Sequence, residues 1–176
     1  VWYVPQLSKF EGTFEQAIGS DIKVEGKVFN AGPAEIEAFL AGEVDLGYIG
    51  PGPAINGAVK SDGDLVIIGN AANAGAILVA SKDAAISTVA DLKGKKVAIP
   101  QLGNTQHLIL LSLLRDNGLE VTTKGGDVEV VAAENPDIKT LLENGDIDAA
   151  LVPEPWGARL TIESDAKVVL DAQALF

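Results

Sequence analysis

The sequence predicts an α/β fold in two similar lobes, and three observations lead to this prediction. Short apolar segments that fit strands alternate with helical segments along the chain, which is typical of parallel sheets flanked by helices. The order of these segments repeats once after roughly 100 residues, a period too long for a solenoid and suited to two lobes. Apolar residues make up 47% of the 176 residues, enough to form buried cores.

In the first half of the chain, apolar runs alternate with turn residues and helix signals. Ile22, Val24 and Val28 alternate with polar residues, as in a half-buried strand. Pro33 is placed to start a helix that Gly42 stops. The predicted strands cover residues 1–4, 22–29, 44–49 and 65–68, and the predicted helices cover residues 8–18, 33–41 and 54–60.

The second half begins with a predicted strand at residues 76–80 and then continues the alternation. Thr88 and Asp91 form a capping-box pattern for a short helix that ends before Gly94. The remaining predicted strands cover residues 97–99, 128–132, 149–152 and 167–170, and further helices cover residues 136–144 and 156–163.

One strand-to-helix turn, from Pro100 to Gln106, organises this half. Asn104 or Thr105 can cap the helix that runs from there to Asn117-Gly118. This helix is apolar on nearly all sides, so we expect most of it to be buried. Its first backbone N–H groups are unpaired and carry positive dipole character, which suits an anion or a polar ligand head. An ordinary, well-capped turn would explain the same residues.

The repeat places similar turns at equivalent positions of the two halves. Val4-Pro5-Gln6-Leu7 recurs as Ile99-Pro100-Gln101-Leu102, and residues 48–53 recur as residues 151–156. Ligands of open α/β sheets bind outside the carboxyl ends of the strands. If the lobes face each other, four such turns converge on one cleft, at residues 5–8, 50–53, 100–106 and 153–156.

Composition excludes several kinds of function. The formal net charge of −12 argues against nucleic acid, which proteins bind through clustered Lys and Arg. The absence of cysteine excludes disulfides and thiol catalysis, and together with a single histidine it argues against zinc, so we expect no metal and no cofactor. No apolar segment reaches the roughly 18 residues of a membrane span, and no signal-peptide pattern is seen.

Neutral side chains at the main turn suit the oxygens of a sulfonate, a nitrate or a carboxylate. These donors are Gln101, Asn104, Thr105 and Gln106, and no Arg or Lys adjoins the predicted turns.

Three further side chains are candidates for contact with a ligand or for catalysis. Trp156 is placed to cover an alkyl group or a cation, or to pack in the core. Glu154 is placed to accept from a ligand amine, or to lie solvated on the surface. His107 is the only candidate general base, and spacing identifies no Ser or Asp partner for it, so no catalytic residue is predicted.

Six motifs in this order resemble the substrate-binding proteins of ABC importers for nitrate, taurine and aliphatic sulfonates. They are Asn30-Ala-Gly-Pro-Ala, Gly42-Glu-Val-Asp, Gly50-Pro-Gly-Pro-Ala-Ile-Asn56, Asp91-Leu-Lys-Gly-Lys-Lys-Val-Ala98, Pro100-Gln-Leu-Gly-Asn-Thr-Gln106 and Pro153-Glu-Pro-Trp-Gly157. The resemblance runs from about residue 11 to the end of the chain. It implies a two-lobed type II periplasmic binding fold, with a parallel-type sheet and flanking helices in each lobe.

The resemblance also implies a division of the chain and a set of ligand-binding residues. Residues 1–75 would form the first lobe, 76–80 the crossover strand, 81–170 the second lobe and 171–176 the start of a return segment. The implied ligand-binding residues are Gly50, Pro51, Asn73, Gln101, Asn104, Thr105, Gln106, Glu154 and Trp156.

Partners and location follow from the same resemblance. A monomer in the periplasm or outside the cell would hold a small anionic ligand between its lobes and pass it to the ABC permease in the membrane, without catalysis. Nucleic acid is not expected as a partner.

Two departures from the family bear on the first lobe. Between Pro5 and Gly12 the chain is about one or two helical turns shorter than the family, and the family continues past Phe176. The first lobe is therefore expected to be incomplete.

Two other functions stay open at this point. The two-lobed fold also serves as the effector-sensing domain of transcription regulators. Enzymes that synthesise the thiamine pyrimidine resemble this family as well, but they carry a cysteine-rich segment that this chain lacks.

Overall fold

A computed structural model of the chain describes residues 12–19, 21–72, 75–122, 126–171 and 173–174. In these residues the helices are α1 (Thr13–Ile18), α2 (Gly32–Leu40), α3 (Pro51–Lys60), a 3-10 helix (Val89–Leu92), α4 (Thr105–Asp116), α5 (Asn135–Asn144) and α6 (Trp156–Glu163). The strands are β1 (Ala76–Ala80), β2 (Lys95–Ile99), β3 (Val121–Thr122), β4 (Val128–Ala132), β5 (Ala149–Pro153) and β6 (Lys167–Leu170). Every helix in the described residues is too short or too polar to span a bilayer.

The strands form one mixed sheet in the order β3-β4-β2-β5-β1-β6. Strands β3, β4, β2 and β5 are parallel to one another, whereas β1 is antiparallel to both β5 and β6. The expectation of a parallel sheet is therefore wrong at β1. The first residue of β1, Ala76, pairs with Pro153 at the carboxyl end of β5. Strand β1 therefore runs antiparallel to β5.

The sheet is covered on both faces, which places the core in the C-terminal part of the molecule (residues 75–171). On one face, Leu78, Ile99 and Leu151 pack with Leu110 and Leu114 of α4. On the other face, α5 and α6 cover the sheet through a second set of buried residues, among them Ile77, Val79, Ile138, Val152 and Leu160. The α/β class predicted from the sequence is thus confirmed as three layers, helix, sheet and helix.

Helix α4 is buried along one stripe rather than on nearly all sides. Leu110 and Leu114 are fully buried, but Leu111 is half-buried and Leu108 is 41% exposed. The helix lies on one face of the sheet, so only the residues that face the sheet lose contact with water.

The N-terminal part of the molecule (residues 12–72) differs from the sequence prediction. Its described residues, 12–19 and 21–72, contain helices α1, α2 and α3 but no strand, so the strands predicted at residues 22–29, 44–49 and 65–68 do not form there. The strand predicted at residues 1–4 lies outside the described residues. A β-strand needs a paired neighbour for its backbone groups, and the described residues of this part supply none.

Candidate functional site

The carboxyl ends of β2, β4 and β5 lie at one edge of the sheet, and three helices begin there. Helix α4 follows β2, α5 follows β4 and α6 follows β5. Two hydrogen bonds tie this edge together, from Ala133 N to Ile99 O at 3.1 Å and from Glu154 N to Gly75 O at 3.0 Å. This is the edge at which sheets of this kind bind ligands.

The turn between β2 and α4 is held by local hydrogen bonds. Asn104 is the N-cap of α4, and its Oδ1 accepts a hydrogen bond of 2.8 Å from His107 N. Gly103 has a φ of +80°, a conformation that favours glycine, and its N–H donates to His107 Nδ1 at 3.0 Å. Asn104 is only 2% exposed. Of the two predicted caps, Asn104 and Thr105, it is Asn104 that caps the helix, because its side chain makes the capping hydrogen bond.

His107 therefore has a structural function in this turn. Burial lowers the pKa of its imidazole, which favours the neutral form. The Nδ1 lone pair already accepts from Gly103, so this nitrogen is not free to take a proton from a substrate.

The N-terminal part of the molecule meets this turn through glycines of α3. Gly50, the N-cap of α3, lies so close to Thr105 that a Cβ atom on Gly50 would overlap the Thr105 hydroxyl. A Cβ on Gly52 would overlap a methyl group of Leu108 in the same way. Only residues without a side chain allow the two helices to approach this closely.

The start of α2 adds a third helix N-terminus to the same region. A Cβ on Gly103 would lie 4.0 Å from Pro33 Cγ, at the beginning of α2. Asn30, just before α2, donates a hydrogen bond of 3.4 Å to the carbonyl of Pro100. The N-termini of α2, α3 and α4 thus converge on the turn from Pro100 to Thr105.

The electrostatics of this convergence suit an anion. Neither α3 nor α4 has an acidic residue in its first turn, so no carboxylate of the helix itself neutralises the positive end of the helix dipole. Helix α2 carries Glu35 in its first turn, and this carboxyl group lies against the backbone of Gly47. Burial raises the pKa of Glu35 to about 7, which weakens its negative charge near neutral pH.

Several side chains at this edge have unused hydrogen-bonding groups. The hydroxyl of Thr105 and the amide of Gln106, both half-buried, make no hydrogen bond with the described residues. Gln101 Oε1 is buried without a partner among the described residues, and so is Asn135 Oδ1 at the start of α5. Asn135 is 6% exposed. A buried amide without a partner is costly, so such groups are candidates for contact with a ligand or water.

Glu154 and Trp156 lie at the same edge, beyond β5, but both interact within α6. Glu154 Oε2 accepts a hydrogen bond of 3.0 Å from Ala158 N and so caps the helix. The guanidinium of Arg159 lies 4.5 Å from the centre of the Trp156 ring, and it also binds Glu163 at 3.0 and 3.2 Å. The expectation that no Arg adjoins the turns is wrong, because Arg159 reaches back along the helix to Trp156.

The other predicted residues are placed as follows. Pro51 is the first residue of α3 and is exposed. Asn73 lies outside the described residues. No hydrogen bond between described residues joins Glu154 or Trp156 to the Gly50–Thr105 contact.

Two residues of this edge were not predicted as site residues. Asn30 was part of a recognised motif, but nothing local in the sequence shows that it reaches a residue 70 positions away. Asn135 precedes Pro136 at the start of a helix that follows a strand. Asn104 and Thr105 were predicted as site residues from the same kind of position, and this rule would also have identified Asn135.

Comparison with known proteins gives a consistent result. A family model described as the NMT1-like family matches residues 5–176. A putative aliphatic sulfonates-binding protein of Escherichia coli (strain K12) is 35% identical over 156 residues, which cover 87% of this chain and 47% of that protein. The taurine-binding periplasmic protein of the same strain is 30% identical over 169 residues, which cover 96% of this chain and 49% of that protein.

Solved structures agree with these relatives. The alkanesulfonate-binding protein SsuA from Xanthomonas axonopodis pv. citri, bound to MOPS, superposes with a TM-score of 0.82 and 29% identity, over 96% of this chain and 57% of that one. The periplasmic aliphatic sulphonate binding protein SsuA from Escherichia coli gives a TM-score of 0.75 and 30% identity, over 95% and 56%. The chain spans about half the length of the curated relatives it matches.

Proposed function

The chain belongs to the NMT1-like family, and from this we propose that it binds a small sulfonate for an ABC importer. The observation that carries the proposal is the convergence of three helix N-termini on the turn from Pro100 to Thr105, with Gly50 in contact with Thr105. The named relatives bind sulfonates or taurine, ligands whose anionic head is a sulfonate group.

The anionic head is assigned to the start of α4. Backbone N–H groups there, together with the unused donors of Thr105 and Gln106, can surround a sulfonate without a neutralising cation. The side-chain oxygen of Asn104 already caps the helix, so Asn104 contributes mainly by holding the turn in shape. A sulfonate suits neutral donors better than a phosphate dianion, which usually recruits Arg or Lys.

The organic body of the ligand is assigned to the region of Gln101, Glu154 and Trp156. One face of the Trp156 ring is already occupied by Arg159, so the ring offers its remaining surface to an alkyl chain. The buried oxygen of Gln101 lacks a protein partner and can accept from a ligand amine. Gly50 and Pro51 add to the proposed set from the N-terminal part, and Asn73 is retained in the set as the family resemblance implies.

We assign the protein to the periplasm as the solute-binding component of the importer, with delivery to the membrane permease and without turnover. In this assignment residues 1–75 belong to the first lobe, 76–80 to the crossover strand, 81–170 to the second lobe and 171–176 to a return segment. The fixed position of His107 in the turn supports a binding rather than a catalytic function.

Calorimetry with ethanesulfonate, taurine, nitrate and phosphate tests the proposal. We expect a sulfonate to bind best and Thr105→Val to weaken that binding about three- to tenfold, because the substitution removes one hydroxyl donor while it keeps the shape. Thr105→Ser keeps the hydroxyl and is the matched control. A preference for phosphate, or equal sulfonate affinity for both variants, would contradict the proposal.

A further inference from the structure

A hydrogen bond connects the N-terminal part (residues 12–72) with the C-terminal part (residues 75–171). Asn30 Nδ2 donates it to the carbonyl oxygen of Pro100, over a distance of 3.4 Å. No ion pair between described residues crosses between them. Close contacts between the parts also occur at Gly50, Gly52 and Pro33.

The acceptor of this hydrogen bond lies at the beginning of the proposed ligand-binding turn. Pro100 directly follows β2, and its carbonyl precedes Gln101 and the turn that starts α4. Asn30 directly precedes Ala31, the N-cap of α2. The hydrogen bond therefore links the start of α2 to the turn that presents the N–H groups of α4.

Glycine contacts bring two backbones close together but fix their relative orientation poorly. The contacts at Gly50 and Gly52 are van der Waals contacts, which have no preferred angle. The hydrogen bond between Asn30 and Pro100 has a preferred distance and angle, so a slide between the two parts would lengthen or bend it.

We propose that Asn30 is a positioning residue that holds the two parts in the arrangement that binds ligand, through its hydrogen bond to the Pro100 carbonyl. The inference rests on the proposed function, because ligand held between the parts would bind only when they are close. Loss of the hydrogen bond would lower the population of this arrangement, and the apparent affinity would fall by the same factor.

Substitution of Asn30 tests the proposal through affinity. Asn30→Ala and Asn30→Asp both remove the Nδ2 donor, and each should weaken ethanesulfonate binding about two- to tenfold. The melting temperature without ligand should stay unchanged, because Asn30 is exposed and lies outside the core. Asn56→Asp, on the exposed surface of α3, adds the same charge to the same part and should leave the affinity as it is.

A distance measurement tests the same proposal independently of ligand affinity. The chain has no cysteine, so Lys60→Cys and Asp116→Cys give two unique sites for spin labels, at the far ends of α3 and α4. Because these helices approach each other at their N-termini, separation of the parts should change the distance between the labels. We expect Asn30→Ala to shift or broaden the distance distribution measured by electron spin resonance, and Asn56→Asp to leave it unchanged.

The two measurements separate the two proposals. If the parent protein binds no sulfonate but Asn30→Ala still changes the distances, the ligand assignment fails and the positioning function stands. If the parent protein binds sulfonate and Asn30→Ala changes neither affinity nor distances, the positioning function is wrong. Equal loss of affinity in Asn56→Asp and Asn30→Asp, with none in Asn30→Ala, would also overturn it, because charge and not the lost donor would be the cause.

Discussion

The C-terminal part and the N-terminal part carry similar sequence patterns but differ in how much of their apolar surface they bury. Gly145-Asp-Ile-Asp leads into β5, which is buried, and Ile147 is buried beside it. The matching Gly42-Glu-Val-Asp leads into residues 46–49, which form no strand, and Leu46 is 75% exposed. The same local pattern thus becomes a strand only where neighbouring strands can pair with it.

Exposed apolar residues are concentrated in the N-terminal part. They include Ile22, Val28, Leu46, Ile55, Val59, Val66, Ile67 and Ile68. Its buried residues are few, and most lie between α2 and α3, where Ile36 and Leu65 both lie against Gly57. We therefore expect substitutions in the C-terminal part to affect stability, and those in the N-terminal part to affect mainly local order and ligand contact.

The largest expected effect is the loss of a core leucine. Leu110→Ala removes a fully buried side chain of α4 and should lower the free energy of unfolding by about 2–5 kcal/mol. Leu46→Ala, in the N-terminal part, is the matched control and should cost less than about 0.5 kcal/mol. Urea denaturation of both variants measures the difference, and similar losses would mean that the N-terminal part is packed as tightly as the core.

Hydrogen exchange compares the two parts within one molecule. Strands β1, β2 and β5 each have a paired strand on both sides, so we expect their amides to exchange only at rates near those of global unfolding. Amides of α2 and α3 should exchange about a hundredfold faster, because fewer buried contacts hold these helices. Uniform protection across both parts would contradict the comparison.

Two glycine-to-alanine substitutions add the same methyl group, one within the C-terminal core and one at the contact between the two parts. Gly157→Ala would push a methyl group into Ile77 beneath α6, and overpacking of this kind costs about 1–3 kcal/mol of stability. Gly50→Ala would instead collide with Thr105 at the contact between the two parts, and on the proposal above the parts would move apart to relieve this collision. We expect the first to lower the melting temperature and the second to lower sulfonate affinity at an almost unchanged melting temperature. Equal loss of melting temperature would show that the parts cannot separate.

The smallest expected effect is the pH dependence contributed by Glu35. Its pKa is about 7 in the folded protein against an ordinary 4.5, so the folded state binds more protons than the unfolded state between these values. Stability should therefore fall as the pH rises from 4.5 to 7, and Glu35→Gln should be the more stable protein at pH 8 but not near pH 4.

Denaturation midpoints at these two pH values measure this effect. Glu37→Gln, on the exposed side of α2, is the control and should change little at either pH. A Glu35→Gln variant that gains nothing at pH 8 would show that the carboxylate is solvated.

Local signals in the sequence predicted local structure well. The capping box of Thr88 and Asp91 is present with both of its hydrogen bonds, and Asn104 caps α4 as one of the two predicted candidates. Strands and helices of the C-terminal part lie close to their predicted ranges. Each of these features depends on residues a few positions apart, so the printed sequence contains the information directly.

Features that depend on distant residues were predicted less well. The direction of β1 is set by where the chain enters the sheet, and the hydrogen bond of Asn30 joins two segments far apart in the sequence. The position of Arg159 over Trp156 follows from helical spacing, but the sequence interpretation of Trp156 included only a ligand contact or a place in the core. The ligand-binding residues themselves stay predictions that the experiments above test.

The position of β1 between two strands that follow it in the sequence has a consequence for folding during synthesis. Its neighbours in the sheet are β5 and β6, so Ala80 pairs with Ala149 and Lys167, which a ribosome adds much later. At ~5–20 residues per second, the interval is on the order of ten seconds. During that time an entirely apolar segment, Ala-Ile-Leu-Val-Ala, has neither partner strand, so the nascent chain is most prone to aggregate before residue 149 has emerged.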